Sequence, residues 1–216
     1  SMMLPKKSPN IRPSETVDRR AAILDAAAEV FFEQGYAATS IDAIIERIGG
    51  SKRNIYNEFG NKEGLFTALV SESADTALAA LSVEKFKGRD LAGILLEFGR
   101  RLMEIYMSPA LIGVYRSIMP EALRFPELAK DFYDKGPGRA SDRLAEVLED
   151  AKARGEIHIG DCHAAADHFV GMFRDNLHLK VVLGLRSPPS PTEAEAAVVS
   201  AIGIFLHGIY GAGRPQ

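Results

Sequence analysis

Along nearly the whole chain, apolar residues recur at steps of three and four. No stretch alternates apolar with polar residues as a half-buried strand does. From Val17 the stripe runs Val17, Ala21, Leu24, Ala28, Phe31. Further on, Ile41, Ile44, Ile45 and Ile48 repeat at i, i+3, i+4 and i+7, and Leu91, Leu95, Phe98, Leu102 and Ile105 form a third stripe. Such a chain buries helical faces against one another, so the expected fold class is all-α.

Caps and breakers divide the pattern into elements. Helix 1 is expected over 15–34, closed by Gly35. Ser40 opens a short helix over 41–48, Gly49-Gly50 breaks it, and Ser51 opens another over 52–59. Asn61 opens a longer one over 62–81. Further helices are expected at 90–107 and from Pro109 to about 123. The next runs from Pro126 to 154, kinked or interrupted at Gly136-Pro137-Gly138. Asp161 caps a continuous helix over 162–184. After the stiff Ser187-Pro188-Pro189-Ser190-Pro191 connector, a last helix runs from Thr192 to about 210. Three Pro and several basic residues make 1–13 an expected flexible basic arm.

Composition excludes several classes. The one cysteine, Cys162, permits neither an intramolecular disulfide nor a Cys-rich zinc site, and fits a reducing compartment. No apolar run reaches the roughly 18 residues needed to span a bilayer. Met2-Met3-Leu4-Pro5-Lys6-Lys7 carries no apolar stretch behind its charges, so no secretion signal and a cytoplasmic location are expected. The formal net charge of −3 conceals an uneven distribution. Residues 1–20 sum to +3, 21–46 to −5, and 47–62 to +3 again. The overall balance therefore hides two basic segments, one at the start of the chain and one that contains the short helix over 52–59.

Two very short helices joined by Gly-Gly-Ser have the proportions of a helix-turn-helix. In the second, Ile55 and Phe59 fall on one face and Lys52, Arg53, Tyr56 and Asn57 on the other. Arg and Lys pair with guanine edges or phosphates, Asn reads adenine, and Tyr hydroxyls bond phosphate. Ser51 and the helix N-terminus also suit a phosphate. From pattern and charge alone, a DNA-reading helix and a solvated bundle helix both fit.

Four further groups of residues are Gly35-Tyr36-Ala37-Ala38-Thr39-Ser40-Ile41, Gly49-Gly50-Ser51-Lys52, Ile55-Tyr56-Asn57-Glu58-Phe59 and Asn61-Lys62-Glu63-Gly64-Leu65-Phe66. In combination they resemble the TetR family of bacterial transcriptional regulators, and Arg124-Phe125-Pro126-Glu127-Leu128 is similar to one C-terminal subgroup of it. The resemblance implies about nine helices: a three-helix DNA-binding head over 14–66 and a ligand-binding and dimerisation body over 67–216. It implies a ligand-responsive repressor that binds a palindromic operator as a homodimer and is released by a small molecule. The alternative is a DNA-located interaction protein whose body binds a protein partner. Thr39, Tyr56 and Lys62 match phosphate-holding positions, while Lys52, Arg53, Asn54 and Asn57 match groove-facing ones; Ser40 and Ser51 complete the candidate DNA-binding set. The chain departs from the family at Gly50, where an apolar plug is usual, and at Ile48, a larger residue that fills the space. At Glu58 an acid either repels phosphate or selects a cytosine amino group.

In the body, Met103, Met107, Tyr106, Tyr115, Met119, Phe132, Met172 and Phe173 are flexible or aromatic residues that suit either an adaptable cavity or an ordinary core. Met103, Met107, Tyr115, Met119, Phe132, Phe173 and Asn176 are the candidate ligand-binding residues, with Arg116 and Arg174 as candidate orienting charges. Phe169, Met172, Leu177, Val198, Ile202, Phe205 and Ile209 are the candidate dimer interface, intrachain packing being the other reading. Gly203 and Gly208 suggest close backbone approach there. His158, Cys162 and His163 lie near one another but lack metal-ligand spacing, and no catalytic constellation is visible. No metal, cofactor or enzymatic activity is expected.

Overall fold

The structure, a computed structural model, describes residues 13–211. These residues form α1 (Pro13–Gln34), α2 (Ile41–Ile48), α3 (Lys52–Phe59), α4 (Lys62–Leu78), α5 (Val83–Phe86) and α6 (Leu91–Tyr106). They continue with α7 (Pro109–Ile118), α8 (Pro126–Lys135), α9 (Pro137–Ala153), α10 (Cys162–Gly171), α11 (Asn176–Val182) and α12 (Pro191–His207). No strand occurs among the described residues, and none of their helices is long and apolar enough to cross a membrane. Two compact units divide after Leu69, inside α4. Residues 1–12 of the expected basic arm lie outside the described residues, whereas Pro13 begins α1.

In the first unit, polar side chains start α2, α3 and α4. Ser40 Oγ accepts the Ala43 amide at 3.1 Å and Ser51 Oγ accepts the Asn54 amide at 3.2 Å. Asn61 Oδ1 accepts the Gly64 amide at 2.7 Å. Each bond satisfies a first-turn donor that the helix itself leaves orphaned. Phe31, Tyr36 and Phe66 form the aromatic centre, with centroids 4.9–5.7 Å apart. Ile23, Ala27, Val30 and Phe31 bury one face of α1, while Ala21 stays exposed. The helix is thus rotated from the expected stripe toward Ile23. Gly64 permits the sharpest approach in this unit: a Cβ there would lie 1.9 Å from the Phe59 carbonyl oxygen.

In the second unit, Phe98 of α6 packs on Phe169 of α10, which also meets Phe173 and Phe205 at 5.0–6.4 Å. Along α12, Val198 and Ile202 pack against Gly99 of α6. Arg100 and Glu195 form a two-pronged ion pair between the same helices.

Boundaries depart from expectation where a local cap competes with helix propagation. The segment after Pro126 is split at Gly136 into α8 and α9. The expected continuous helix over 162–184 is instead two, because Asp175 accepts the His178 amide at 3.3 Å and restarts the chain as an N-cap. α7 ends at Ile118 and tightens into a 3-10 turn at Met119–Glu121. α4 ends at Leu78, and the short α5 follows it. Twelve α-helices are therefore described rather than about nine. At the other end, Gly208 has φ 64° and terminates α12. It is a left-handed cap, so the reading of Gly208 as a helix-interior contact glycine is corrected.

Candidate nucleic-acid interface

The caps that begin α2 and α3 set their rotation, and burial of Ile55 and Phe59 turns the other side of α3 outward. Lys52, Arg53, Asn54, Tyr56 and Asn57 are all exposed on that side. Ser40 and Ser51 are also exposed, with their hydroxyls occupied as caps. Lys52 Nζ lies 3.2 Å from Asp42, a pair so exposed that a phosphate can compete for the cation. Thr39 is different: it is buried, and its hydroxyl donates to the Gly35 carbonyl at 2.6 Å. Its placement is that of a pin for the α1–α2 connection.

Lys62 is half-buried at the start of α4. Its Nζ donates to the Tyr36 carbonyl at 2.9 Å and lies 4.4 Å from the centroid of the Tyr36 ring. Burial, with a contribution from the negative charge of Glu63, pushes the Tyr36 phenol up to about 12, so it stays protonated. Lys62 therefore braces the loop that carries Thr39 and Ser40.

Glu58 is the residue expected either to repel phosphate or to select a cytosine amino group. It accepts a hydrogen bond from Arg20 of α1 at 2.8 Å, and the same guanidinium lies 4.8 Å from the Phe59 ring centroid. The acid on α3 is thus offset by a cation from α1. Nothing crowds Gly50 either: a Cβ there meets no atom within 4 Å, and Ile48 is only partly buried.

In the second unit the candidate ligand residues separate into two groups. Met103, Met107, Tyr115, Phe132 and Phe173 are buried, whereas Met119 is 57% exposed and Asn176 is exposed. Met119 is carried outward by the 3-10 turn and Asn176 begins α11. Arg116 donates to the Val181 and Val182 carbonyls at 3.0 and 2.9 Å, which caps the end of α11. Arg174 donates to the Tyr106 hydroxyl at 2.8 Å. His178, which sequence reasoning passed over, is buried against the Tyr106 and Tyr115 rings, with centroids 5.5 and 4.9 Å away. A lone His on an apolar stripe was its only trace in the sequence.

The candidate interface residues also divide. Phe169, Val198 and Ile202 are buried inside a single subunit, and Met172, Leu177 and Phe205 are partly buried. Ile209 lies beyond α12 and is 90% exposed. Exposed apolar side chains on this part of the unit are instead Leu179, Leu183, Leu185, Val199 and Ile204. His163 sits between Asp142 and Asp167 at 3.0 and 3.4 Å, while Cys162 is buried.

Two short capped helices, the second presenting a polar and basic side, define a helix-turn-helix DNA-binding protein. Residues 23–69 match the family described as bacterial regulatory proteins, tetR family. Residues 93–212 match the AefR-like transcriptional repressor, C-terminal domain. The HTH-type transcriptional regulator YvkB of Bacillus subtilis (strain 168) is 30% identical over 164 residues, 73% of this chain and 82% of YvkB. The HTH-type transcriptional regulator UidR of Escherichia coli (strain K12) is 28% identical over 153 residues, 67% of this chain and 71% of UidR. Among solved structures, the Flavonoid-responsive Regulator FrrA is 33% identical with a TM-score of 0.72, covering 88% of this chain and 96% of FrrA. The chain belongs to the TetR family of bacterial transcriptional regulators. It is a DNA-binding regulator with an AefR-like repressor body, and not an enzyme.

Proposed function

We propose that the chain is a ligand-responsive repressor that binds a palindromic operator as a homodimer and leaves it when a small molecule enters the body. The observation that carries this reading is α3, whose Ile55 and Phe59 are buried while Lys52, Arg53, Asn54, Tyr56 and Asn57 stand exposed. Arg53 and the Asn residues would read base edges. Tyr56, the Ser51 cap and the α3 N-terminus would hold phosphates. Lys62 and Thr39 would keep the connecting loop in register with the backbone.

A second copy of the chain is the occupant we assign to the apolar surface of α11 and α12. Leu179, Leu183, Val199 and Ile204 are each about half exposed or more, and a self-complementary patch of this kind suits a two-fold interface. Two heads about one duplex turn apart, roughly 34–36 Å, would then meet two half-sites. FrrA is named for a flavonoid response. Its likeness to this chain supports a flat, ring-bearing effector.

The test is a gel shift with an operator selected from random duplexes. Tyr56→Ala should weaken binding to all duplexes and lower the salt slope, because a phosphate contact is lost. Unchanged operator affinity at fixed salt would overturn the assignment of α3.

A further inference from the structure

The interior of the body holds a polar cluster that its own side chains leave incomplete. Five elements bring it together: Tyr106 ends α6, Tyr115 lies on α7, Phe132 on α8, Arg174 in the turn after α10, and His178 on α11. Tyr115 meets Phe132 at 5.6 Å and Tyr106 at 6.3 Å, all edge-on. Tyr106, Tyr115, Phe132 and His178 retain between 2% and 8% exposure.

Donors and acceptors in this cluster do not balance. Arg174 donates to the Tyr106 oxygen at 2.8 Å, and a guanidinium has no acceptor to give back. The Tyr106 and Tyr115 rings also meet edge-on, and two phenols facing each other can use at most one of their two protons between them. His178 Nε2 accepts none: among the described residues it is the buried side-chain polar atom with no hydrogen-bond partner. At most one of the two phenolic protons is therefore accepted inside the cluster. Leaving such groups without a hydrogen bond in an apolar interior is unfavourable, because each has given up its water and gained no partner. Burial, and then the positive charge of Arg174, hold the His178 imidazole below its usual value, so the ring is neutral near pH 7.

We propose that Tyr106, Tyr115, Arg174 and His178 are the polar anchor of the effector site, taking an acceptor oxygen (carboxylate, carbonyl or phenolate) carried on a flat ring. This rests on the effector reading and narrows it to a ligand class. The free phenolic proton and the guanidinium both ask for an acceptor oxygen. The imidazole supplies a partner of either polarity, depending on its tautomer. Edge-on aromatic side chains around them favour a ring rather than a flexible chain. Nε2 is shut from solvent in this structure, so binding requires the surrounding side chains to part.

The test uses the full chain. Probes are benzoate, 4-hydroxybenzoate, 2-naphthoate and 4′-hydroxyflavone, set against oxygen-free naphthalene and biphenyl. Binding is read by calorimetry and by the imidazole nitrogen resonances of His178. At least one oxygen-bearing probe should bind and shift the His178 resonances. Affinity should fall about tenfold or more in Tyr115→Phe and in His178→Phe. Tyr115→Phe removes only a hydroxyl, so its melting temperature checks that the fold is intact. Equal affinity in both variants, equal binding of the oxygen-free rings, or unmoved His178 resonances with every probe would each overturn the proposal. So would a crystal structure in which an ordered water only satisfies Nε2 and the phenol and no probe displaces it. A gel shift separates the two readings. A probe that binds at His178 without releasing DNA leaves the anchor and removes the effector role. A compound that releases DNA equally from wild type and both variants leaves the effector role and removes the anchor.

Discussion

Glu58 shows how little a residue's charge means before its neighbours are known. Placed by sequence alone on the reading helix, it repels phosphate or selects cytosine. Folded, it is paired with Arg20, and both side chains are about two-thirds buried. A pair of this exposure stabilises the fold by less than about 1 kcal/mol, so its value lies in masking an anion. Arg20→Ala should therefore leave thermal stability nearly unchanged while weakening operator binding, most visibly at low salt, as a gel shift at two salt concentrations will read. At His178 the arithmetic concerns protons. Its folded pKa lies below 6.5, for burial first and Arg174 second. Above 6.5 the ring is neutral in both folded and unfolded chains and contributes no slope. Below it the unfolded chain takes up a proton that the folded one refuses, so stability falls as pH falls. His163 slopes the other way. Asp142 holds it above 6.5, and its contribution is present in acid and lost as pH rises through its folded pKa. Urea unfolding at pH 7.5, 6.5 and 5.5 should show a smaller acid loss in His178→Phe than in wild type.

Helices α2 and α3 were legible because each is bounded by signals that act within four residues: a Ser cap at one end and a Gly at the other. Their bounds, 41–48 and 52–59, fall where the caps put them. Longer segments were misread where a residue has two local options. Asp175 sits within an apolar helical pattern, yet its carboxylate serves as a cap and restarts the chain. Two glycines of the head, one between α2 and α3 and one in the first turn of α4, make opposite predictions. Gly50 has open space where a Cβ would go, and its φ is not in the left-handed region. Gly50→Ala should therefore stabilise by about 0.4–1 kcal/mol through the unfolded chain. Gly64 has the Phe59 carbonyl 1.9 Å from that position. Gly64→Ala must move α4 off the end of α3, and should lower both the melting temperature and operator affinity. Paired urea denaturation curves check both, and a stabilised Gly64→Ala would contradict the packing described here.

Over the whole molecule, the apolar pattern identified which helices carry a buried face but not which of their residues face the subunit's own core. Val198 and Ile202 were reasonable interface candidates, yet they are 1% and 8% exposed within one chain. Their neighbours Val199 and Ile204 are about half exposed. Val199→Glu should therefore yield monomers in analytical ultracentrifugation with the fold retained. Val198→Glu should unfold the body, because an unpaired charge enters a filled core. Loss of folding in Val199→Glu would show that this surface belongs to the subunit after all. The same division runs through the candidate sites. Helix class, the short-helix pair and its basic side follow from spacing and capping, which are local properties readable along the chain. The Arg20–Glu58 pair, the pinning of Thr39 and Lys62, and the incomplete cluster around His178 depend on residues between 4 and 72 positions apart. Most of these contacts exist only after helices pack, because hydrogen bonding and burial are decided by which faces meet, and one-dimensional periodicity leaves that choice open.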